Sequence, residues 1–120
     1  MRYFVPIAIG MQMKYKSKMK KEEFLEKIKL AVLSVDDRAK IVLFGSRARG
    51  DNKIDSDWDV LVLTEMETNS DFTKKITDKI FDLELEFTQA VSLVIVDKRT
   101  WEDWAIMPLY KNIAKEGIAV

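Results

Sequence analysis

The chain contains no cysteine and no histidine. The first absence removes disulfides, thiolate nucleophiles and cysteine-type zinc sites; the second removes imidazole metal ligands and the commonest general base. Charge of one sign is also missing: twenty Lys and Arg stand against twenty Asp and Glu, a formal net charge of zero. No global field therefore draws in nucleic acid or an anionic membrane, and any phosphate affinity must be local. Long apolar runs are absent as well. The stretch YFVPIAIG, residues 3–10, falls far short of the ~20 residues needed to span a bilayer. No small-residue cleavage site follows it, so it does not read as a signal peptide, and a cytoplasmic protein is expected.

What is present suits one folded domain. The length is 120 residues, 48% apolar and 33% charged, with only four glycines and two prolines, a balance that favours a globular core over disorder. Its chemistry must run on carboxylates, hydroxyls, Lys, Arg and backbone amides.

Helical patterning begins only near Met19, so residues 1–18 read either as an N-terminal extension or as an edge strand over Tyr3 to Ile9, with residues 19–120 as the domain proper. From Lys20 to Val35, apolar Phe24, Ile28, Ala31 and Val35 recur at helical spacing. KIVLFG and DWDVLVLT are short apolar runs of the kind that form buried strands. Asn69 or Ser70 can cap a long helix with Phe72, Ile76, Ile80, Leu83 and Phe87 along one stripe. AVSLVIVD is a third strand-like run. A helical turn around Trp101, a break at Pro108 and a final helix closed by Gly117 complete the order. Strands separated by helices in this way predict an α/β (α+β) fold, a small mixed sheet with helices packed on it.

The unusual chemistry lies between the first two strands, in FGSRARGDNKIDSDWDV, Phe44 to Val60. Gly45 closes a strand, and Ser46 to Arg49 can open a helical turn that Gly50 ends. Such a junction presents free amides, with the Ser46 hydroxyl and the Arg47 and Arg49 guanidinium groups nearby as donors to phosphate. By itself this is an ordinary turn as readily as a phosphate site. Asp57 and Asp59 enter the next strand one residue apart, and the two-residue period turns both carboxylates to one face, with Trp58 and Val60 on the other. Paired carboxylates call for a cation, and Mg²⁺, which takes one or two carboxylates together with phosphate and water, is the natural one. Neighbouring strands would set the two halves side by side, as a nucleoside triphosphate with its magnesium requires.

Gly45-Ser46, ten intervening residues and then Asp57-Trp58-Asp59 resemble the signature of the DNA polymerase beta-like nucleotidyltransferases, and GSRARG with SDWDVLV is most similar to the minimal nucleotidyltransferases, MNT, of prokaryotes. LYKNIAKEGI is similar to the closing helix of that group. The resemblance implies a mixed sheet with helices on one side. It also implies binding of ATP with Mg²⁺ and transfer of a nucleoside monophosphate, AMP for ATP, to an acceptor hydroxyl. By the same carry-over, Gly45 and Ser46 hold the triphosphate, Asp57 and Asp59 bind metal and are the catalytic pair, and Arg47 and Arg49 touch phosphate. It implies a partner too, commonly a HEPN-domain toxin whose tyrosine the antitoxin modifies with AMP. A homodimer is a further expectation.

One departure stands out. Members of that family usually bring a third acidic residue from a later strand, and here Ser92 occupies the corresponding position. Glu84 and Glu86, on the preceding helix, read as surface charge, and Asp97 lies at the far end of the strand. A degenerate relative that binds nucleotide or partner without catalysis therefore remains the alternative. A drug acceptor is disfavoured by the lack of room for a second domain, and polymerase activity by the lack of a basic track. Arg49-Gly50-Asp51 as an adhesion tripeptide would need secretion. Trp101, Trp104 and Tyr110 suit packing better than base stacking.

Overall fold

The computed structural model describes residues 21–120; the readings for Tyr3 to Ile9 and for a start at Met19 lie outside them. Helix α1 runs over residues 21–33. It is followed by strand β1 (Lys40–Phe44), the short helix α2 (Gly45–Arg49), strand β2 (Trp58–Thr64) and the long helix α3 (Ser70–Phe87). Strand β3 (Val91–Asp97), a 3-10 turn (Trp101–Trp104), helix α4 (Pro108–Glu116) and strand β4 (Ile118–Ala119) complete the order. The sheet runs β3-β2-β1-β4, with β2 antiparallel to β1, parallel to β3, and β4 antiparallel to β1. It is a mixed sheet with helices packed on it, as the alternation of patterns predicts.

The strands alternate between two cores. Ile41, Leu43, Trp58, Val60 and Val62 face α1 and α3, where Phe24, Ile28, Val32, Phe72, Ile76 and Ile80 complete a buried cluster. Each of these side chains contributes about 1.5–3 kcal/mol by leaving water. Phe44, Leu61, Leu63 and Val96 point the other way and meet Ile113 of α4, with Val42, Val94, Trp101, Trp104 and Leu109 packed around them. Helices on one side only is thus not the arrangement: the two long helices share one face, and α4 with the 3-10 turn covers part of the other. The cause is visible in β2, whose run Val60 to Leu63 is apolar on both faces and fully or nearly buried.

Local choices set the element ends. Asn69 caps α3 by accepting from the Phe72 amide at 2.9 Å. Pro108 occupies the first turn of α4, where a missing N–H is harmless. Gly117 closes α4 for a reason other than left-handed backbone: its φ is −64°, and a Cβ there would lie 2.6 Å from the Ile113 carbonyl oxygen and 2.8 Å from Val42 Cγ1. Only glycine lets the chain pass that close to β1 and turn into β4, a two-residue strand too short to show in the sequence pattern. In α1 the deepest position besides Phe24 and Ile28 is Val32, fully buried, rather than Ala31, and Val35 lies beyond the end of the helix.

Candidate active site

The end of β1 and the start of β2 are opposite one another in the antiparallel ladder, with Phe44 paired to Asp59. The chain leaving Phe44 turns at once into α2, and Gly45 takes φ +72° to do so. A Cβ on Gly45 would lie on the Asp59 carboxylate, 2.1 Å from Oδ2. Glycine is therefore required twice at this position, for its backbone angle and for the space that the Asp59 side chain fills. Gly50 ends the helix in left-handed conformation at φ +86°, its amide donating to the Ser46 carbonyl at 2.8 Å.

Trp58 fixes the acidic pair. Its ring is 4% exposed in the core, edge-on to Phe24 at 5.4 Å, and its Nε1 donates to Gln89 Oε1 at 3.0 Å. With Trp58 turned inward, Asp59 is turned to the opposite face and Asp57 stands exposed just before the strand. The Asp59 carboxyl is held above its ordinary range, first by burial and then by the neighbouring charge of Asp57, with Glu116 adding and Arg49 opposing. Two carboxylates brought together without a salt-bridge partner among the described residues are what a divalent cation would relieve. Among the described residues no group of three or more acidic side chains is arranged to hold a metal. The donor set fits Mg²⁺ bound by two carboxylates plus phosphate and water, and does not fit an all-protein cage.

The arginines divide. Arg47 folds back over the Trp58 ring, 4.3 Å from its centroid. Its Nε and Nη2 donate to the Ser56 carbonyl at 3.0 and 2.8 Å, and Nη2 also reaches the Ile54 carbonyl and Gln89 Oε1. Burial pushes its pKa down, against the pull of Asp57. It pins the loop that carries Asp57 to the end of α2. Arg49 is exposed, and its Nη1 donates to both oxygens of Glu116, at 3.1 and 3.0 Å, while Nε donates to Asp51 at 3.2 Å. Ser46 is half-buried in the first turn of α2.

The positions read as a possible third acid also resolve. Ser92 is the parallel partner of Asp59 on β3, exposed and on the same sheet face, so it stands where a carboxylate would complete the site. Glu84 accepts from the Val91 amide at 3.0 Å, a structural tie between α3 and β3, and Glu86 is exposed on α3. Asp97 pairs with Arg99 at the opposite end of β3, alongside Thr64. None of the three approaches Asp59. The acidic group that does is Glu116, whose Oε1 accepts from the Gly45 amide at 3.2 Å. Nothing in the sequence links Glu116 to Gly45, because the contact depends on how α4 packs across the sheet. Gln89 was equally hidden, a loop residue whose carbonyl joins Trp58 to Arg47.

Trp101, Trp104 and Tyr110 pack on one another, with Trp101 5.9 Å from Trp104 and 4.8 Å from Tyr110. Trp101 and Trp104 line the second core, with Tyr110 against Trp101, rather than forming a stacking platform beside the acidic pair. No helix among the described residues is long and apolar enough to cross a membrane.

The family model for the nucleotidyltransferase domain matches residues 18–120. A solved structure, a toxin-antitoxin with AMP-PNP, is similar in fold, with a TM-score of 0.55 and 21% sequence identity over 78% of this chain and 70% of that one. No curated protein matches the chain.

Proposed function

The chain belongs to the nucleotidyltransferase domain family, and from that premise we propose that it transfers AMP from ATP to a protein hydroxyl, a tyrosine of a HEPN-type toxin partner, in an antitoxin role. The single observation that carries this reading is the contact of Gly45 with Asp59, which brings the amide-bearing turn of α2 against the acidic pair with no side chain between them. The toxin-antitoxin neighbour with its AMP-PNP supports the choice of nucleotide and of partner class.

In this reading Asp57 and Asp59 hold Mg²⁺, which would neutralise triphosphate charge beside the reacting phosphorus. The Gly45 amide, Ser46 hydroxyl and Arg49 guanidinium donate to the phosphate oxygens, and these donors stabilise charge that grows on the departing pyrophosphate. Arg47 keeps the Asp57 loop in place, and its Nη1, without a hydrogen bond among the described residues, is a further donor for phosphate. The acceptor oxygen bonds to the α-phosphorus as the bond to pyrophosphate breaks. Ser92 is no base, so the hydroxyl proton leaves to water or to a base that the acceptor protein brings.

Incubation with labelled ATP, Mg²⁺ and the HEPN partner tests the reading directly. Label on the partner, lost with Asp57→Ala or with the acceptor tyrosine changed to Phe, is the expected result. A second reading, a regulator that binds nucleotide and partner without transfer, draws on Ser92 opposite Asp59. AMP-PNP binding together with complete absence of label on any partner hydroxyl would favour it.

A further inference from the structure

Two local features disfavour a carboxylate at Glu116. It ends α4, where the helix dipole disfavours a carboxylate. It also lies near Asp59 and adds to the acidic charge there. Its side chain is nonetheless only 16% exposed, held by three hydrogen bonds: one from the Gly45 amide at 3.2 Å and two from Arg49 Nη1 at 3.1 and 3.0 Å. Those are two of the donors assigned above to the triphosphate. A carboxylate and a phosphate oxygen use such donors in the same way, as charge-assisted acceptors, so the two cannot occupy them together. Glu116 does not stand in for the missing third acid, because both of its oxygens are turned to Arg49 and no three-acid metal group forms around it.

We propose that Glu116 is a competing carboxylate that occupies the Gly45 amide and Arg49 while the site is free of nucleotide, is released from them when a nucleoside triphosphate binds, and so sets nucleotide affinity. The proposal rests on the nucleotide reading of this site. It also links the site to the fold, since the residues after Glu116 turn through Gly117 into β4 against Val42 and Leu43.

The test compares Mg²⁺–AMP-PNP binding by the full chain and by Glu116→Gln and Glu116→Ala, using calorimetry. Loss of the competing charge-assisted bonds is expected to tighten binding about tenfold in both variants. Tripolyphosphate should show the same gain and adenosine none, a split that a merely structural role for Glu116 would not produce. Unchanged or weaker AMP-PNP binding in the variants, with the unmodified chain binding well, overturns the proposal and makes Glu116 a residue that orients Arg49. If the unmodified chain binds neither AMP-PNP nor tripolyphosphate, the nucleotide reading itself fails and the proposal with it. Should the variants not fold, NMR of the unmodified chain decides: tripolyphosphate should shift the Glu116 side-chain carboxyl carbon and the Gly45 amide together. A Gly45 shift with Glu116 unmoved would overturn the proposal.

Discussion

The two ends of β2 treat their carboxylates in opposite ways. At the far end Thr64 is fully buried and donates to Asp36 Oδ2, whose other oxygen accepts from the Arg38 amide at 3.0 Å. Beside it Asp97 takes the Arg99 guanidinium at 2.6 Å, which holds its carboxyl below the ordinary range. At the near end Asp59 is partly buried next to Asp57, and its carboxyl is pushed up. At the far end Asp36 and Asp97 each have donors; at the near end Asp57 and Asp59 have none among the described residues. The same strand and solvent produce both, and the difference fits the proposed division, in which the far end serves folding and the near end serves the ligand.

The sharpest way to break this contrast is to remove the near-end pair. Asp57→Ala or Asp59→Asn is expected to lower label transfer by about 10²- to 10³-fold, on the scale of losing several kcal/mol of charge stabilisation. Urea unfolding should show Asp59→Asn folding at least as stably as the unmodified chain, because the strained charge is gone. A marked loss of stability in Asp59→Asn would mean that the near end is structural after all.

Gly45→Ala comes next. The methyl group meets Asp59 Oδ2 and the backbone sits at φ +72°, so about 1–3 kcal/mol of stability should be lost in equilibrium denaturation, together with nucleotide binding. Gly50→Ala shares the positive φ but has nothing within 4 Å of its added carbon. It should lose only the backbone part, about 1 kcal/mol, and keep binding. Equal losses for the two glycines would show that proximity to Asp59 is incidental.

At the far end Asp36→Ala leaves the Thr64 hydroxyl and Arg38 amide without their acceptor. It should cost about 1–3 kcal/mol by the same denaturation measurement while AMP-PNP affinity stays unchanged. Any fall in affinity there would tie the far end to the site and dissolve the comparison.

Of this contrast only the near-end grouping of Gly45, Asp57 and Asp59 could be read before the fold was known, and the parts that could not have a common cause. Periodicity marked Phe72, Ile76 and Ile80 as the inner stripe of α3, and β2 as a buried strand, because burial repeats along the chain. Gly45, Asp57 and Asp59 were legible because one short loop holds them and their spacing is fixed by strand geometry. Arg47 and Arg49 looked alike in sequence, yet one stacks on Trp58 and the other meets Glu116. Local pattern cannot separate them: Arg47 bonds mainly the Ser56 and Ile54 carbonyls of the loop that follows it, whereas the Glu116 partner of Arg49 comes from α4. Glu116 itself lies 71 residues from Gly45, and only the packing of α4 on the sheet brings them together. Ser92 could be suspected from the resemblance, but its place opposite Asp59 is a matter of parallel register.

The smallest expected effect is in the pH dependence, and its value lies in its sign. A carboxyl held below its ordinary pKa, as Asp97 is by Arg99, adds stability that is present above the unfolded-state value and is lost as pH falls through the folded one. A carboxyl pushed above its ordinary pKa, as Asp59 is by burial and by Asp57, does the reverse: its contribution is full below the unfolded-state value and disappears as pH rises through the folded one. Between about pH 3 and pH 6, where such groups titrate, Asp97→Asn should therefore make stability rise less steeply with pH. Asp59→Asn should make it rise more steeply. Urea midpoints measured across that range for the two variants provide the check. Slopes displaced in the same direction would mean that the two ends of β2 carry the same kind of carboxylate, and the division between a folding end and a binding end would have to be abandoned.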